Sequence, residues 1–476
     1  MRPLEACLLA AVVPAFLVLV ARLPGRARHV RALALLPLPV LAAQVLVEGA
    51  RWQMIPAYVL SGLLALALPA QTRVRGGRAG TGVAVGLGVL ALVVAIALPL
   101  AVPVFRFPHP TGPFAVGTQT YHWVDAARPD VFTTDPDDRR ELVVQVWYPA
   151  EDDPSAPRAP YVADGHALAP LARLMRLPGS TFEYLDQVRT NAVAGAPVAR
   201  GDVRYPVLLF SHGRGGYRQH NTAQVEELVS HGYVVAAIDH PHAAAGVAFP
   251  DGRQVDMDPR MLDRAFIDSV IPFLAQDAVF TLDRLTDLDR SDDVLAGRLD
   301  LDRVGMFGVS LGGAVTGETC KVEPRVRACL PIDVFLPADV VEQGLRQPVM
   351  WISRDAGTMR REGWSESDVE ETHRTMRAVF DRLPGAGYIV LVPGMYHADF
   401  SDFPLFSPWL AKPLGLSGAL DPHRARVIPD AYALAFFDRH LKGLPAPLLD
   451  APSAQYPEVL FERRADPGRT NGPLVR

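Results

Sequence analysis

Apolar and polar positions divide the chain into two unlike parts. Residues 4–20, 32–47, 55–70 and 83–104 are four almost uninterrupted apolar stretches. Each approaches the roughly 17–25 residues that a helix needs to cross about 30 Å of hydrocarbon, so residues 1–105 are predicted to form an anchor of four membrane helices. A Pro-rich hinge (Pro103, Pro108, Pro110, Pro113) follows. Residues 141–148 then alternate and are bulky, the pattern of a strand. Residues 152–201 are rich in Pro and Ala, with a partial helix expected over 168–185 as loop material above an active site. Beyond Tyr205 short apolar runs (206–210, 233–238, 303–307, 328–332, 349–352, 388–392) alternate with helical segments (222–230, 265–288, 311–320, 366–383, 424–441). Continuous apolar strands separated by helices predict a mostly parallel α/β sheet covered on both faces.

Charge fixes an orientation for the first part. Arg22, Arg26, Arg28 and Arg31 lie in the first connection and Arg73, Arg75 and Arg78 in the third, whereas the second has only Arg51 beside Glu48. Positive loops stay cytoplasmic, which puts the N-terminus and everything after residue 104 outside, as a multi-pass protein of the cell membrane. Glu5, Glu48 and Arg51 fall at span ends and the spans hold little else that is polar beyond Gln44 and Ser61, so an anchor fits better than a transport path. The net charge of −5 over 476 residues gives no basic footprint for nucleic acid. Of three cysteines, Cys7 is expected to pack as a small hydrophobe; Cys320 and Cys329 flank one helix-to-strand connection, either as a disulfide or as two free thiols. No Cys/His group has metal spacing.

The chemistry concentrates at Gly308-Val309-Ser310-Leu311-Gly312-Gly313, directly after a predicted strand and before a helix. A nucleophilic serine needs such a sharp turn to project its hydroxyl above the sheet, and flanking glycines relieve the crowding. This is the turn of the α/β-hydrolase fold, with Ser310 as nucleophile. Two backbone donors are needed for an oxyanion: the N–H of Leu311, and that of Arg214 in Ser211-His212-Gly213-Arg214-Gly215-Gly216. His212 is read as a hydrogen-bonding loop residue. The fold orders its triad Ser, acid, His, so His397, after the run 388–392, is the expected base; His423 and His440 read as surface or packing residues. Asp333 and Asp355 each end a strand, and chain order alone allows either as the acid.

Four segments, YPVLLFSHGRGGY (205–217), GVSLGG (308–313), LPIDVFLP (330–337) and GMYHADFSDF (394–403), resemble the plasma-type platelet-activating factor acetylhydrolases and their bacterial relatives. The resemblance covers roughly residues 141–444. It implies an acid after the strand that follows the nucleophile helix, Asp333, and a base in a His-x-x-Phe-x-Asp-Phe segment, matched by His397, Phe400, Asp402 and Phe403. Val309 departs from the His usual there, and the anchor departs from the secreted members.

The expected protein is therefore a membrane-anchored serine carboxylic-ester hydrolase with its catalytic domain over residues 106–476, acting on lipid-like or other apolar esters through an acyl-enzyme, with no cofactor or metal implied. The same triad serves acyl transfer to an envelope acceptor. A non-catalytic binding or sensor module on this fold is the other alternative, against which the retention of every catalytic piece speaks. In Asp239-His240-Pro241-His242 a metal pair is set against a role at the site rim or in packing. Trp351, Trp364 and Trp409 are candidates for an acyl pocket or for simple packing.

Overall fold

A computed structural model describes residues 1–21, 35–70 and 78–464. Its first part is helical: α1 (Pro3–Ala21), α2 (Pro37–Glu48), α3 (Ile55–Ala70) and α4 (Arg78–Ala101). All four expected apolar stretches contain a helix; among the described residues of these four, α1 and α4 carry windows long and apolar enough to cross a membrane (Pro3–Val20 and Gly82–Ala101). The other two have 12 and 16 residues, about 18 and 24 Å at 1.5 Å per residue. Pro37 opens the shorter one, and Gly49, at φ 79°, ends it. Arg22, Arg26, Arg28, Arg31, Arg73 and Arg75, on which the orientation rested, lie outside the described residues. Cys7 does not pack as expected; its side chain is exposed on the outside of α1.

Thirteen strands follow among the described residues: β1 (Ala115–Pro129), β2 (Arg139–Ala150), β3 (Arg158–Pro160), β4 (Arg189–Ala194), β5 (Tyr205–Ser211), β6 (Val234–Asp239), β7 (Gly246–Ala248), β8 (Gln254–Asp256), β9 (Leu299–Val309), β10 (Val326–Ile332), β11 (Val349–Ser353), β12 (Gly387–Leu391) and β13 (Leu460–Arg464). Eleven form one sheet in the order β13-β12-β11-β10-β9-β5-β6-β2-β1-β4-β3. From β6 to β12 every neighbouring pair is parallel, and β2, β1 and β13 extend the sheet antiparallel. The helices α5 (Thr222–Ser230), α6 (Arg264–Ser291), α7 (Leu311–Val322), α8 (Ala356–Glu362), α9 (Glu366–Phe380) and α10 (Pro422–Phe437) connect these strands or pack on them. Separate apolar clusters lie on the two faces of the sheet. Leu274, Val315 and Val379 belong to one, and Leu228, Ile428 and Phe436 to the other. The α6 helix is also apolar and long enough to span a membrane by composition, yet its Ile271, Leu274, Ala278 and Leu282 are buried against the sheet.

The segment after α4 is no hinge. Phe105 and Phe107 are buried with Tyr161 and Phe406, with Phe105 stacked on Phe406 at 5.8 Å. Cys320 and Cys329 are joined as a disulfide, Cα atoms 6.5 Å apart. The partial helix expected over 168–185 is present in two pieces, a short α-helix at Ala169–Leu174 and a 3-10 helix at Gly179–Gln187, and the short strands β3 and β4 flank them.

Candidate functional site

Parallel strands collect their following loops at one end of the sheet, where ligands of open α/β folds bind. Val309 of β9 pairs with Ile332 of β10, so Ser310 and Asp333 emerge side by side. Ser310 sits at φ 57° and ψ −125°, a conformation costing about 1–3 kcal/mol that must be held from outside. Its N–H donates to the Ile332 carbonyl at 2.9 Å. The glycines are steric necessities: a Cβ on Gly308 would lie 2.3 Å from the Gly312 oxygen, and one on Gly312 1.9 Å from the Ser211 oxygen. Ser310 is also the N-cap of α7, so the helix points its positive end at the turn.

The loop after β5 lies against this serine, since a Cβ on Gly213 would stand 3.3 Å from the Ser310 Cβ. Among the described residues, neither the Arg214 N–H nor the Leu311 N–H donates to another backbone group, whereas Gly215 and Gly216 are both engaged. His212 is enclosed; its Nδ1 bonds the Gly213 oxygen at 2.8 Å and its Nε2 accepts the His240 N–H at 3.2 Å. Burial, with His240 beside it, lowers its pKa to about 4, so it stays neutral.

His397 and Asp333 meet: Nδ1 lies 2.5 Å from Oδ2. Asp333 is buried at φ 49°. It accepts from Ser353 Oγ at 2.9 Å and Arg354 Nε at 3.0 Å, while Arg354 Nη2 lies 2.8 Å from its second oxygen. Burial pushes this carboxyl up, but the Arg354 guanidinium and His397 outweigh it and hold it well below the usual carboxylate range. Asp355, the rival acid, instead caps α8 by accepting the Thr358 N–H at 3.0 Å. Glu362 accepts the His397 N–H at 3.0 Å and pairs with Arg354. Trp364 stands edge-on to the His397 ring at 5.3 Å with Arg354 over its face at 4.4 Å.

Arg354, Ser353 and Glu362 were not anticipated; nothing in a lone Arg or Glu marks it as a partner of a distant Asp. Asp402 ties the base loop to the rest, accepting the Thr222 and Ala223 N–H groups at the start of α5 at 2.6 and 3.2 Å. Trp351 is buried in the core against Phe380, and Trp409 is exposed. His423 is exposed near the start of α10, and His440 bonds the Tyr388 hydroxyl at 3.1 Å. His240 and His242 form no metal pair: His240 bonds Ser211 and Asp277, and His242 stacks on Phe132 at 5.0 Å. The described residues contain no metal-ligating cluster.

Residues 101–262 and 281–445 match the family described as "Platelet-activating factor acetylhydrolase, isoform II". The platelet-activating factor acetylhydrolase of Gallus gallus is 24% identical over 383 residues, covering 71% of this chain and 84% of its own. A probable 1-alkyl-2-acetylglycerophosphocholine esterase of Arthroderma benhamiae is 28% identical over 384 residues, covering 75% of this chain and 94% of its own. Among solved structures, a ferulic acid esterase from Streptomyces cinnamoneus superposes with a TM-score of 0.64 at 33% identity, covering 75% of this chain and 99% of that one. The chain is a carboxylic-ester hydrolase of the α/β type and belongs to the isoform II family of platelet-activating factor acetylhydrolases.

Proposed function

We propose that the chain is a membrane-anchored serine esterase that cleaves lipid-like or other apolar esters through an acyl-enzyme. The observation that carries this reading is the 2.5 Å bond between His397 and a buried, doubly anchored Asp333, beside the strained Ser310 turn. With Asp333 accepting the Nδ1 proton, the His397 Nε2 is left as the base. It takes the Ser310 proton as Oγ attacks the ester carbonyl, and the oxyanion is held by the N–H groups of Leu311 and Arg214. His397 then protonates the departing alcohol, and water repeats the sequence to free the acid and Ser310. The names of the relatives, one a probable 1-alkyl-2-acetylglycerophosphocholine esterase and one a ferulic acid esterase, support an ester substrate with a large apolar part.

Two observations support a membrane setting for residues 1–105. Leu46, Leu63, Leu66, Val83 and Leu87 are exposed on α2, α3 and α4, an apolar surface larger than water tolerates. The outer ends of the helices also gather at one place: Arg51 pairs with Glu5 at 2.6 Å and bonds the Val102 oxygen at 2.6 Å, and the Glu48 carboxylate accepts the Leu4 N–H at 2.7 Å. That arrangement suits four passes with the N-terminus and the hydrolase, residues 106–476, on the same side, and the arginine-rich first and third connections favour the extracytoplasmic one. The test is turnover of p-nitrophenyl esters of rising chain length by the detergent-purified protein, with Ser310→Ala alongside. Turnover lost in the variant, with fluorophosphonate labelling lost in step, is the expected outcome; an active, labelled Ser310→Ala protein overturns the reading.

A further inference from the structure

A second Ser–His–Asp chain lies beneath the site. Ser211 Oγ is 2.8 Å from His240 Nε2, and His240 Nδ1 is 2.8 Å from Asp277 Oδ2. All three residues are at most 1% exposed, so no substrate reaches this serine. The chain ends on fixed charge. Arg140 donates to Asp277 through Nε at 3.1 Å and Nη2 at 2.7 Å, and Arg128 through Nη2 at 2.6 Å. Arg140 also donates to Asp130 and to the Pro241 oxygen, both at 3.1 Å. Burial pushes the Asp277 carboxyl up, but Arg140 and His240 hold it well below the usual range. An ionised Asp277 accepts a proton-bearing Nδ1, which leaves His240 Nε2 as the acceptor for the Ser211 hydroxyl.

Ser211 is placed where this matters. It is the last residue of β5, three before Arg214, and its carbonyl touches Gly312, since a Cβ there would come within 1.9 Å. The two proposed oxyanion donors, Arg214 and Leu311, therefore belong to two segments that meet at Ser211. His240 grips the same loop a second time, its N–H donating to His212 Nε2, while Gly215 is tied to Ala243 and the Gly216 oxygen to Ala245. Among the described residues, these tethers of residues 212–216 run to residues 240–245, and the Arg214 guanidinium bonds the Met261 oxygen at 3.1 Å.

We propose that Ser211, His240 and Asp277 are positioning residues which set the distance between the two oxyanion donors, transmitting the fixed Arg140–Asp277 pair to the loop after β5. The inference rests on the esterase reading above. Loss of one oxyanion donor costs roughly 10²–10³ in rate, and an error of about 1 Å in placement costs up to about 10². Ser211→Ala is therefore expected to lower kcat about 10–100-fold with KM changed less than about twofold.

The test compares wild type, Ser211→Ala, His240→Gln and the double variant on one p-nitrophenyl ester. Thermal midpoints, the acid limb of the kcat/KM profile and the affinity for an arylboronic acid are measured in parallel. The expected result is a fall in kcat matched by weaker boronate binding, with an unmoved acid limb and no further loss in the double variant. A kcat within about twofold of wild type in Ser211→Ala overturns the proposal. So does a loss that follows the thermal midpoint or KM. Inactive wild-type protein would remove the esterase reading and this inference with it, whereas active wild type with unaffected Ser211→Ala removes this inference alone.

Discussion

Asp333→Asn and Asp355→Asn separate the two acids that chain order leaves equivalent. Both oxygens of Asp333 face donors: Ser353 Oγ and Arg354 Nε on one, His397 Nδ1 and Arg354 Nη2 on the other. An amide offers one acceptor oxygen, so its NH2 must face part of that set. Turned toward His397, it forces the tautomer with the proton on Nε2, which cannot accept the Ser310 proton. Turned away, it opposes Arg354 and leaves His397 with a neutral partner for its developing charge. A wrong tautomer in such a triad costs about 10⁴ in kcat, equivalent to about 5.5 kcal/mol at 1.36 kcal/mol per decade. Asp355→Asn perturbs only the cap of α8, worth about 1 kcal/mol at most because Asn also caps, so its kcat should stay within about twofold. Steady-state turnover of p-nitrophenyl butyrate by both variants, with fluorophosphonate labelling to count competent sites, reads this directly. Equal losses in the two variants, or more than about a tenth of wild-type kcat in Asp333→Asn, would refute the assignment.

Three further outcomes are expected. Arg354→Met strands the buried Asp333 carboxylate and should destabilise the fold by about 3–5 kcal/mol, read as a lowered urea midpoint; an unchanged midpoint would show that Ser353 and His397 suffice. Gly312→Ala drives a methyl into the Ser211 carbonyl and should abolish labelling of Ser310 even where the protein remains folded by circular dichroism; full labelling would mean that the turn can open. Glu226, buried and bonded by the Asn191 and Ala192 N–H groups, is pushed up to about 7 by its burial, those bonds notwithstanding. A carboxyl raised in the fold ionises later there than in the unfolded chain, so the native state loses stability as pH climbs from about 4.5 to 7, by roughly 3 kcal/mol at most. Glu226→Gln should flatten that slope in urea unfolding at several pH values, and parallel curves for the two proteins would contradict it.

The parallel strands were legible because burial on both faces leaves them almost wholly apolar, as in VLLF before Ser211 and VGMFGV before Ser310. β1 was not, although it has 15 residues: its side chains Thr118, Gln119, Thr120, His122 and Asp125 are those of a half-exposed strand and follow a Pro-rich stretch. β13, with Glu462, Arg463 and Arg464, was hidden for the same reason. The expected triad positions sit where strand ends predicted them, and His397 was brought to Asp333 across 64 positions of sequence. Asp355 carries a local sign of another role, since an Asp directly before a helical segment is a favoured N-cap. Asp277 and Arg140 carried none, because they lie 137 positions apart and meet only through the packing of α6 on the sheet, which no spacing encodes.

The junction behind Phe105 has a mechanical meaning. Trp52 Nε1 donates to the Thr181 oxygen at 3.0 Å, Arg2 to Gln187 at 2.7 Å, and Ser407 to the Ala101 oxygen at 2.5 Å, while Phe105 and Phe107 fill a cluster with Tyr161 and Phe406. A hydrolase joined in this way is bracketed rather than leashed: on the proposed membrane reading it cannot roam a hemisphere above the bilayer, but holds its mouth at one height and tilt. Which esters it meets would then be decided by how far a molecule protrudes from the leaflet, and a soluble form would have to be cut before Val102 so that these aromatic side chains keep their lining.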